Sequence, residues 1–272
     1  MFHIPIISVR RHFKSHKCNP EAFKKYICEA IQTSTISRGQ DISLEDCEEL
    51  FLWDKSDKRV NTVVIARKAS VDDSVKLRSY YITASTVDSI DTIDFRVWQA
   101  GRATAVCQKY LPPFNLRLDD STDLQFSDVG KDDYNPSTVA LEEARRLQWT
   151  NQDNGNIACF LSIGTGTAIR SSGMPKDIDL RGGKGGSSCS KSVEYHLDII
   201  SKCEDTHRRF HRSQPNLKYW RLNIPDIGKL GLDEHKYRHR IEQETLKYLG
   251  DANVKQNIKR IVQIVRATKP DA

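Results

Sequence analysis

Asp128 is the residue of this chain whose surroundings are most typical of a catalytic carboxylate. It follows the short run 124–127, which we predict to be a strand, and Gly130 lets the backbone turn sharply behind it. Asn135 is a favoured helix N-cap, and Pro136 is a favoured first helical residue. In open α/β sheets, ligands and chemistry lie just beyond the carboxyl ends of strands. The spacing therefore predicts a catalytic position for Asp128, with an aspartate in an ordinary surface turn as the alternative.

A hydrolase also needs a nucleophile, and its usual signature is missing here. The G-x-S-x-G elbow, which exposes a serine between a strand and a helix, does not occur in these 272 residues. No glycine-rich strand end early in the chain offers an oxyanion hole. An aspartate without such partners cannot carry out acyl transfer. The residues therefore indicate a general base without the serine hydroxyl from which it would accept a proton.

Two glycine-rich stretches invite a phosphate-binding interpretation and fail it. In the stretch 182–188, Lys184 is followed by glycine instead of serine or threonine, and no strand leads into it. Gly164 and Gly166 follow a predicted strand, but Ile169 stands where a dinucleotide fingerprint needs its third glycine. We therefore predict a tight turn at that strand end and no nucleotide cofactor.

Metal chemistry is not predicted either. The pairs His207–His211 and His235–His239 have the i,i+4 spacing of a helical metal site, but in neither is the first histidine followed by Glu as in H-E-x-x-H, and both lie among arginines. The acids between residues 119 and 133 lack the order of a calcium loop. We expect solvated helix faces at these histidines, and neither a metal nor a cofactor.

Alternating strand and helix patterns must position these residues, and they predict an α/β layered fold. No regular pattern is seen in residues 33–58 and 107–123. The helix that begins at Asn135 should have a solvent-exposed side formed by Glu142, Glu143, Arg145 and Arg146. The run 157–163 is the most strand-like and is typical of a buried parallel strand. Strands are predicted at 61–66, 77–83, 124–127, 157–163 and 217–224, and helices from 19, at 94–106, from 135, at 191–212, 233–249 and 254–267.

Composition and charge narrow the class of protein. No run approaches the roughly 18 apolar residues of a membrane span, the start lacks the features of a signal peptide, and the seven cysteines form no C-x-x-C. We therefore expect a cytoplasmic location, peripheral membrane association being the alternative. The net charge of +6 is concentrated at both ends of the chain, which suits an anionic membrane surface or solvated helices. No nucleic-acid-binding pattern is present, so no such partner is predicted.

Four motifs, taken in order, resemble the carboxyl-terminal half of a patatin-like phospholipase domain. The resemblance covers roughly residues 60–250. Each motif alone is weak, and their order makes the combination specific. The motifs are Val97-Trp98-Gln99-Ala100-Gly101-Arg102-Ala103-Thr104-Ala105, Asp128-Val129-Gly130 with Asn135-Pro136, Ala140-Leu141-Glu142-Glu143-Ala144-Arg145-Arg146-Leu147, and Cys159-Phe160-Leu161-Ser162-Ile163-Gly164-Thr165-Gly166.

The resemblance implies a three-layer α/β/α domain with a mixed central sheet flanked by helices, and a Ser–Asp dyad acting on phospholipid or acylglycerol esters. Asp128 then matches the general base, in the motif Asp128-Val129-Gly130. The serine elbow and oxyanion loop of the family lie upstream of the segment that resembles residues 1–40. Val129 replaces a family glycine, and Gln108 stands where the family has proline, so the site departs from the family pattern.

On this basis the chain divides into a helical segment at 1–59, the patatin-like half at 60–250 with its Asp motif, and a helix and tail at 251–272. We expect a lipid acyl hydrolase fragment that is inactive by itself. The alternative is a non-catalytic module that binds a membrane or a protein, the latter at a sheet edge exposed by the missing strands. An incomplete reading of the gene is the third interpretation.

Overall fold

The computed structural model describes residues 18–36, 39, 41–53, 60–70, 74–80, 93–107, 110–118, 123–127, 134–147, 157–167, 188–225 and 237–267. The chain forms two compact units, divided between Asp133 and Tyr134. The first unit contains α1 (Pro20–Ile36), α2 (Leu44–Glu49), β1 (Val63–Lys68), β2 (Ser74–Arg78), α3 (Val97–Thr104), β3 (Phe114–Arg117) and β4 (Asp123–Ser127). The second contains α4 (Ser137–Arg146), β5 (Phe160–Ile163), α5 (Ser188–Ser213), β6 (Tyr219–Leu222), α6 (Arg238–Gly250) and α7 (Ala252–Ala267).

The first unit is built on a four-stranded sheet in the order β2-β1-β4-β3. All three strand pairs are antiparallel, and Val64 of β1 faces Leu77 of β2. Leu124 and Phe126 of β4 are buried while Asp123 and Gln125 are exposed, which is the alternation of a sheet with one covered face. The covered face packs on α3, so apolar burial holds sheet and helix together.

Aromatic rings and small residues fill the core between this sheet and α3. The Phe126 ring lies 6.0 Å from the rings of Phe95 and Phe114. Gly101 of α3 faces α1, because a Cβ at this position would lie 3.0 Å from Cδ1 of Ile27. The missing side chain at Gly101 therefore allows α3 to pack closely on α1. The buried core residues are Ala66, Leu77, Phe95, Ala100, Ala103, Val106, Leu124 and Phe126.

The second unit is built on a parallel pair of strands, β5 and β6, in which Ser162 lies opposite Arg221. Residues of α4, α5 and the segment before β6 form its small apolar core. Phe160 of β5 contacts Phe210 of α5, with ring centroids 5.1 Å apart. The buried core residues are Leu141, Phe210 and Leu217. The parallel pairing predicted for the run 157–163 is confirmed.

The α/β class is confirmed, while the sheet arrangement differs from the expected single mixed sheet. The described strands form an antiparallel sheet in one unit and a parallel pair in the other. Residues 33–58, predicted to be irregular, include the end of α1 and all of α2, whose start is fixed by a capping box between Ser43 and Asp46. β3 was also missed, because a four-residue strand between loops has too little alternation to reveal itself.

Two predictions about burial are wrong. Strand β5 is not buried on both faces: Leu161 is 40% exposed and Ile163 is 73% exposed. An apolar run fits a strand covered on two sides, but among the described residues the helices α4 and α5 contact the face that carries Phe160 and Ser162. Glu143, predicted to lie on the wet side of its helix, is only 3% exposed. The helix that carries Glu143 is short, and packing of its neighbours outweighs the sequence pattern.

Candidate functional site

Asp128, Val129 and Gly130 lie outside the described residues, so their predicted role stays a prediction. The strand that leads to them is described: β4 ends at Ser127, which pairs with Arg67 of β1. The stretches 168–187 and 231–236 also lie outside the described residues, and with them the glycine-rich stretch and His235.

Asn135 and Pro136, where a helix was predicted to start, are among the described residues, and the Asn135 side chain makes three hydrogen bonds there. Its Oδ1 accepts hydrogen bonds from Ser137 N at 3.3 Å and from Ser137 Oγ at 2.7 Å. Its Nδ2 donates to the carbonyl oxygen of Cys203 in α5 at 2.9 Å. Asn135 is 5% exposed, so these bonds satisfy a buried amide. The N-cap of α4 is Pro136 and the helix begins at Ser137, so the predicted N-cap at Asn135 and first helical residue at Pro136 are each one position too early. Asn135 still ties the start of α4 to α5.

A hydrogen-bonded group of polar side chains, which we call the Ser162 cluster, lies next to this helix start. Its members are Ser137, Ser162, Glu204, Arg221 and Asn223. The hydroxyl oxygens of Ser137 and Ser162 lie 3.3 Å apart. Arg221 Nη1 donates to Ser162 Oγ at 2.8 Å, and Arg221 Nη2 donates to Glu204 Oε1 at 3.0 Å. Arg221 Nε also donates to Glu204 Oε1, at 3.3 Å, so the arginine charge is paired and all three guanidinium nitrogens donate inside the cluster.

Asn223 connects this cluster to the loop that follows β5. Its Nδ2 donates to Glu204 Oε1 at 2.9 Å, and its Oδ1 accepts from Gly166 N at 2.7 Å. Gly166 has a φ of 120°, which other residues rarely adopt, so glycine is needed in this loop. A Cβ at Gly164 would lie 2.3 Å from Asn223 Oδ1, so this glycine lets the side chain approach the backbone. In place of the predicted tight turn the structure has a bend at Thr165, and Thr167 N donates to the carbonyl oxygen of Ile224, so the chain stays beside the segment that follows β6.

A cavity of about 310 Å³ lies in the second unit beside the Ser162 cluster. Its lining combines the first residues of α4, the end of β5 with its glycine loop, and part of α5. Ser137, Ser162 and Arg221 supply its hydrogen-bonding groups, and residues such as Ile199 and Ile200 supply apolar surface. An apolar cavity with a few convergent polar groups at the carboxyl end of a parallel strand is the usual form of a ligand site.

The cluster holds hydroxyls in place without activating them. Across the described ranges, no carboxylate or imidazole accepts a hydrogen bond from Ser137 or Ser162; Glu204 accepts from Arg221 and Asn223 instead. A serine nucleophile requires such a base. The arrangement can therefore orient polar parts of a ligand and fix the glycine loop, whereas nucleophilic attack needs groups that it does not contain.

His207 corrects another prediction, since it does not lie on a solvated helix face. Its Nδ1 lies 2.9 Å from the Tyr219 hydroxyl, and the side chain is half-buried. Burial is the largest effect lowering the pKa of His207, opposed by Glu204 and reinforced by Arg221 and His211. His211 and His239 are exposed, as predicted. In the part of the chain that the structure describes, no group of three or more His, Cys, Asp or Glu residues could hold a metal.

The residues that sequence analysis missed are Ser162, Glu204 and the hydroxyl of Ser137. One signal pointed toward them: the alternation of Tyr219, Arg221 and Asn223 placed these side chains on one face of β6, and the structure turns that face toward α5. Glu204 gave no signal, because one acid on a long polar helix has no distinguishing pattern.

Comparisons with known proteins give no assignment: no family model matches the sequence, and no curated protein matches it either. Of the helices formed by the described residues, none combines the length and the apolar character that crossing a membrane requires.

Proposed function

We propose that this chain is the Asp-bearing half of a patatin-like lipid acyl hydrolase domain, and that it does not hydrolyse esters by itself. In this proposal Asp128 is the general base of a Ser–Asp dyad, and the substrate class is phospholipid or acylglycerol. The serine of the dyad belongs to a G-x-S-x-G elbow, which these 272 residues do not contain.

What supports the proposal is that residues of two of its motifs line one cavity. Asn135 and Pro136 belong to the motif of Asp128, Ser162 to Gly166 belong to the last motif, and Ser137 directly follows Pro136. Ser137 contacts Ser162 at 3.3 Å between hydroxyl oxygens, and both line the same cavity. Motifs that a chain brings together around a cavity are more specific than motifs that only share an order in the sequence.

The proposal assigns separate tasks to the two motifs. Asp128 would accept the proton of the attacking hydroxyl, as a carboxylate general base does. The Ser162 cluster would hold the glycine loop after β5 in position through Asn223 and Gly166. Because Ser162 already accepts from Arg221 and has no described base beside it, we assign it a structural task and not that of the nucleophile.

Hydrolysis of a p-nitrophenyl ester tests the proposal, with the purified chain compared to D128N and S162A. The expected result is that neither the unchanged chain nor S162A releases p-nitrophenol faster than D128N does. Turnover that disappears in D128N would contradict inactivity while supporting the base assignment. Turnover that disappears only in S162A would contradict the proposal as a whole, because it would make Ser162 the nucleophile.

A second candidate function, a non-catalytic protein-binding module, is favoured by a specific observation. Leu161 and Ile163 project from the uncovered face of β5 and are 40% and 73% exposed. Their neighbours Trp220 and Leu222 lie opposite them on β6 and are only half-buried. Apolar side chains clustered on an open sheet face mark interaction surfaces more often than isolated exposed ones do.

A further inference from the structure

The two last helices, α6 and α7, bury almost none of their side chains completely. α6 has no buried residue, and α7 has one, Ile261 at 8% exposure. Five large apolar side chains of these helices are exposed to solvent, which leaves a hydrophobic surface on the helix pair. They are Ile241, Leu246, Leu249, Val262 and Val265.

Helix α7 combines this exposed apolar surface with charges of a single, positive sign. Its sixteen residues include four basic side chains and no acidic one. Three of them, Lys255, Lys259 and Arg266, are separated from Val262 by seven, three and four positions, which are neighbouring positions on a helix surface. All three are exposed. We call Val262, Val265 and these three cations the α7 face.

Arg260 lies elsewhere on the helix. It is two positions before Val262 and five before Val265, spacings that place it away from both valines. Arg260 is exposed as well. The helix therefore offers two adjacent basic residues, Lys259 and Arg260, of which one belongs to the α7 face and the other does not.

We propose that the α7 face binds an anionic phospholipid surface, with the valines at the boundary of the acyl region and the cations at the headgroups. An amphipathic helix with basic residues beside its apolar stripe is the usual form of an interfacial helix. The anionic leaflet attracts each basic side chain near the surface, so the charge of the helix complements it. This proposal does not depend on the proposed hydrolase function.

The composition of the face favours lipid over other anionic or apolar partners. Contacts with nucleic-acid phosphates are made by basic and polar groups and need no apolar strip between them. Protein hot spots are enriched in Trp, Tyr and Arg anchors that fill pockets, whereas this face presents two short valines. A shallow apolar strip beside three cations fits a soft, flat, negatively charged surface.

Co-sedimentation of the full chain with phosphatidylcholine vesicles, with and without phosphatidylserine, tests the proposal. We expect binding that requires phosphatidylserine and weakens as salt is raised. K259E reverses one charge of the α7 face and should weaken binding about tenfold or more, since each basic residue near an anionic membrane surface contributes to the free energy of binding. R260E makes the same change in net charge and should weaken binding much less. V262S should also weaken binding.

Helical content by circular dichroism verifies that each variant is folded. Equal losses for K259E and R260E would overturn the proposal, because net charge and not the α7 face would then determine binding. Equal binding to vesicles with and without phosphatidylserine would overturn it too. Release from the vesicles by a small amount of duplex DNA would assign the basic helix to nucleic acid instead.

Discussion

Arg221 shows how a single buried charge constrains its surroundings. Its side chain is 9% exposed, and its charge is paired with Glu204, which is 26% exposed. Removing a buried cation's partner leaves a charge that has lost both its water and its counter-ion. Glu204 also accepts a hydrogen bond from Asn223, so the same carboxylate supports the loop after β5.

We therefore expect E204A to lower the free energy of unfolding by about 2–3 kcal/mol. The neighbouring residue offers a matched control, because Asp205 pairs with Arg208 while both side chains are more than half exposed. Exposed pairs contribute little, so D205A should cost less than about 1 kcal/mol. Urea unfolding of the two variants and the unchanged chain measures the difference. Equal losses would mean that the burial of Arg221 does not determine the energy of its pair.

His207 makes stability depend on pH through its half-buried ring. Because burial lowers the pKa of His207 below the ordinary value of 6.5, the unfolded chain takes up the proton first as pH falls. The contribution of His207 is therefore complete above pH 6.5 and is lost as pH falls below it, through the folded-state pKa. Glu204, Arg221, His211 and Arg208 all act on this ring, and its Nδ1 contacts the Tyr219 hydroxyl.

Thermal unfolding between about pH 7.5 and pH 5 measures this dependence. We expect H207Q to reduce the loss of stability on acidification, because the group that gains a proton on unfolding is gone. H211Q changes an exposed histidine of the same helix and should leave most of the loss in place. The prediction would be wrong if both variants lost stability on acidification as steeply as the unchanged chain.

At the scale of elements, the loop after β5 depends on the absence of a side chain at Gly164. A Cβ at Gly164 would lie 2.3 Å from Oδ1 and 2.5 Å from Cγ of Asn223, and 2.8 Å from Nη2 of Arg221. These atoms belong to a hydrogen-bonded cluster and cannot move without breaking its bonds. We expect G164A to cost about 2 kcal/mol or more. At Gly250 nothing lies within 4 Å of a built Cβ, so G250A should be close to neutral. Denaturant unfolding of both variants distinguishes these expectations, and an equally stable G164A would refute the first.

The elements that sequence analysis predicted best are those with long, regular periodicity. α1 and α5 have 17 and 26 residues, and both were expected from their apolar spacing. The short elements β3 and α2 have four and six residues, too few for a pattern, and both were missed. The side chains of the Ser162 cluster come from α4, β5, α5 and the end of β6. The sequence indicated only that Arg221 and Asn223 share one face of a strand, because spacing alone cannot show that distant positions meet.

For the molecule as a whole, charge and exposed apolar surface act in opposite directions. The net charge of +6 makes copies of the chain repel each other, and salt screens that repulsion. The open face of β5, with Ile163 at 73% exposure, is apolar and favours association. Added salt should therefore increase self-association through this face, while it weakens the attraction between the α7 face and an anionic surface.

Replacement of Ile163 tests whether the open face of β5 determines association. Burying an isoleucine side chain contributes about 1.5–3 kcal/mol, so I163K should shift the self-association equilibrium about tenfold or more toward the monomer. V60K adds the same charge at a valine that is 85% exposed in the other unit, and it therefore controls for repulsion alone. Sedimentation velocity over a range of concentrations and salt measures the effect. If V60K reduced association as much as I163K does, added charge and not the loss of this apolar surface would account for the change.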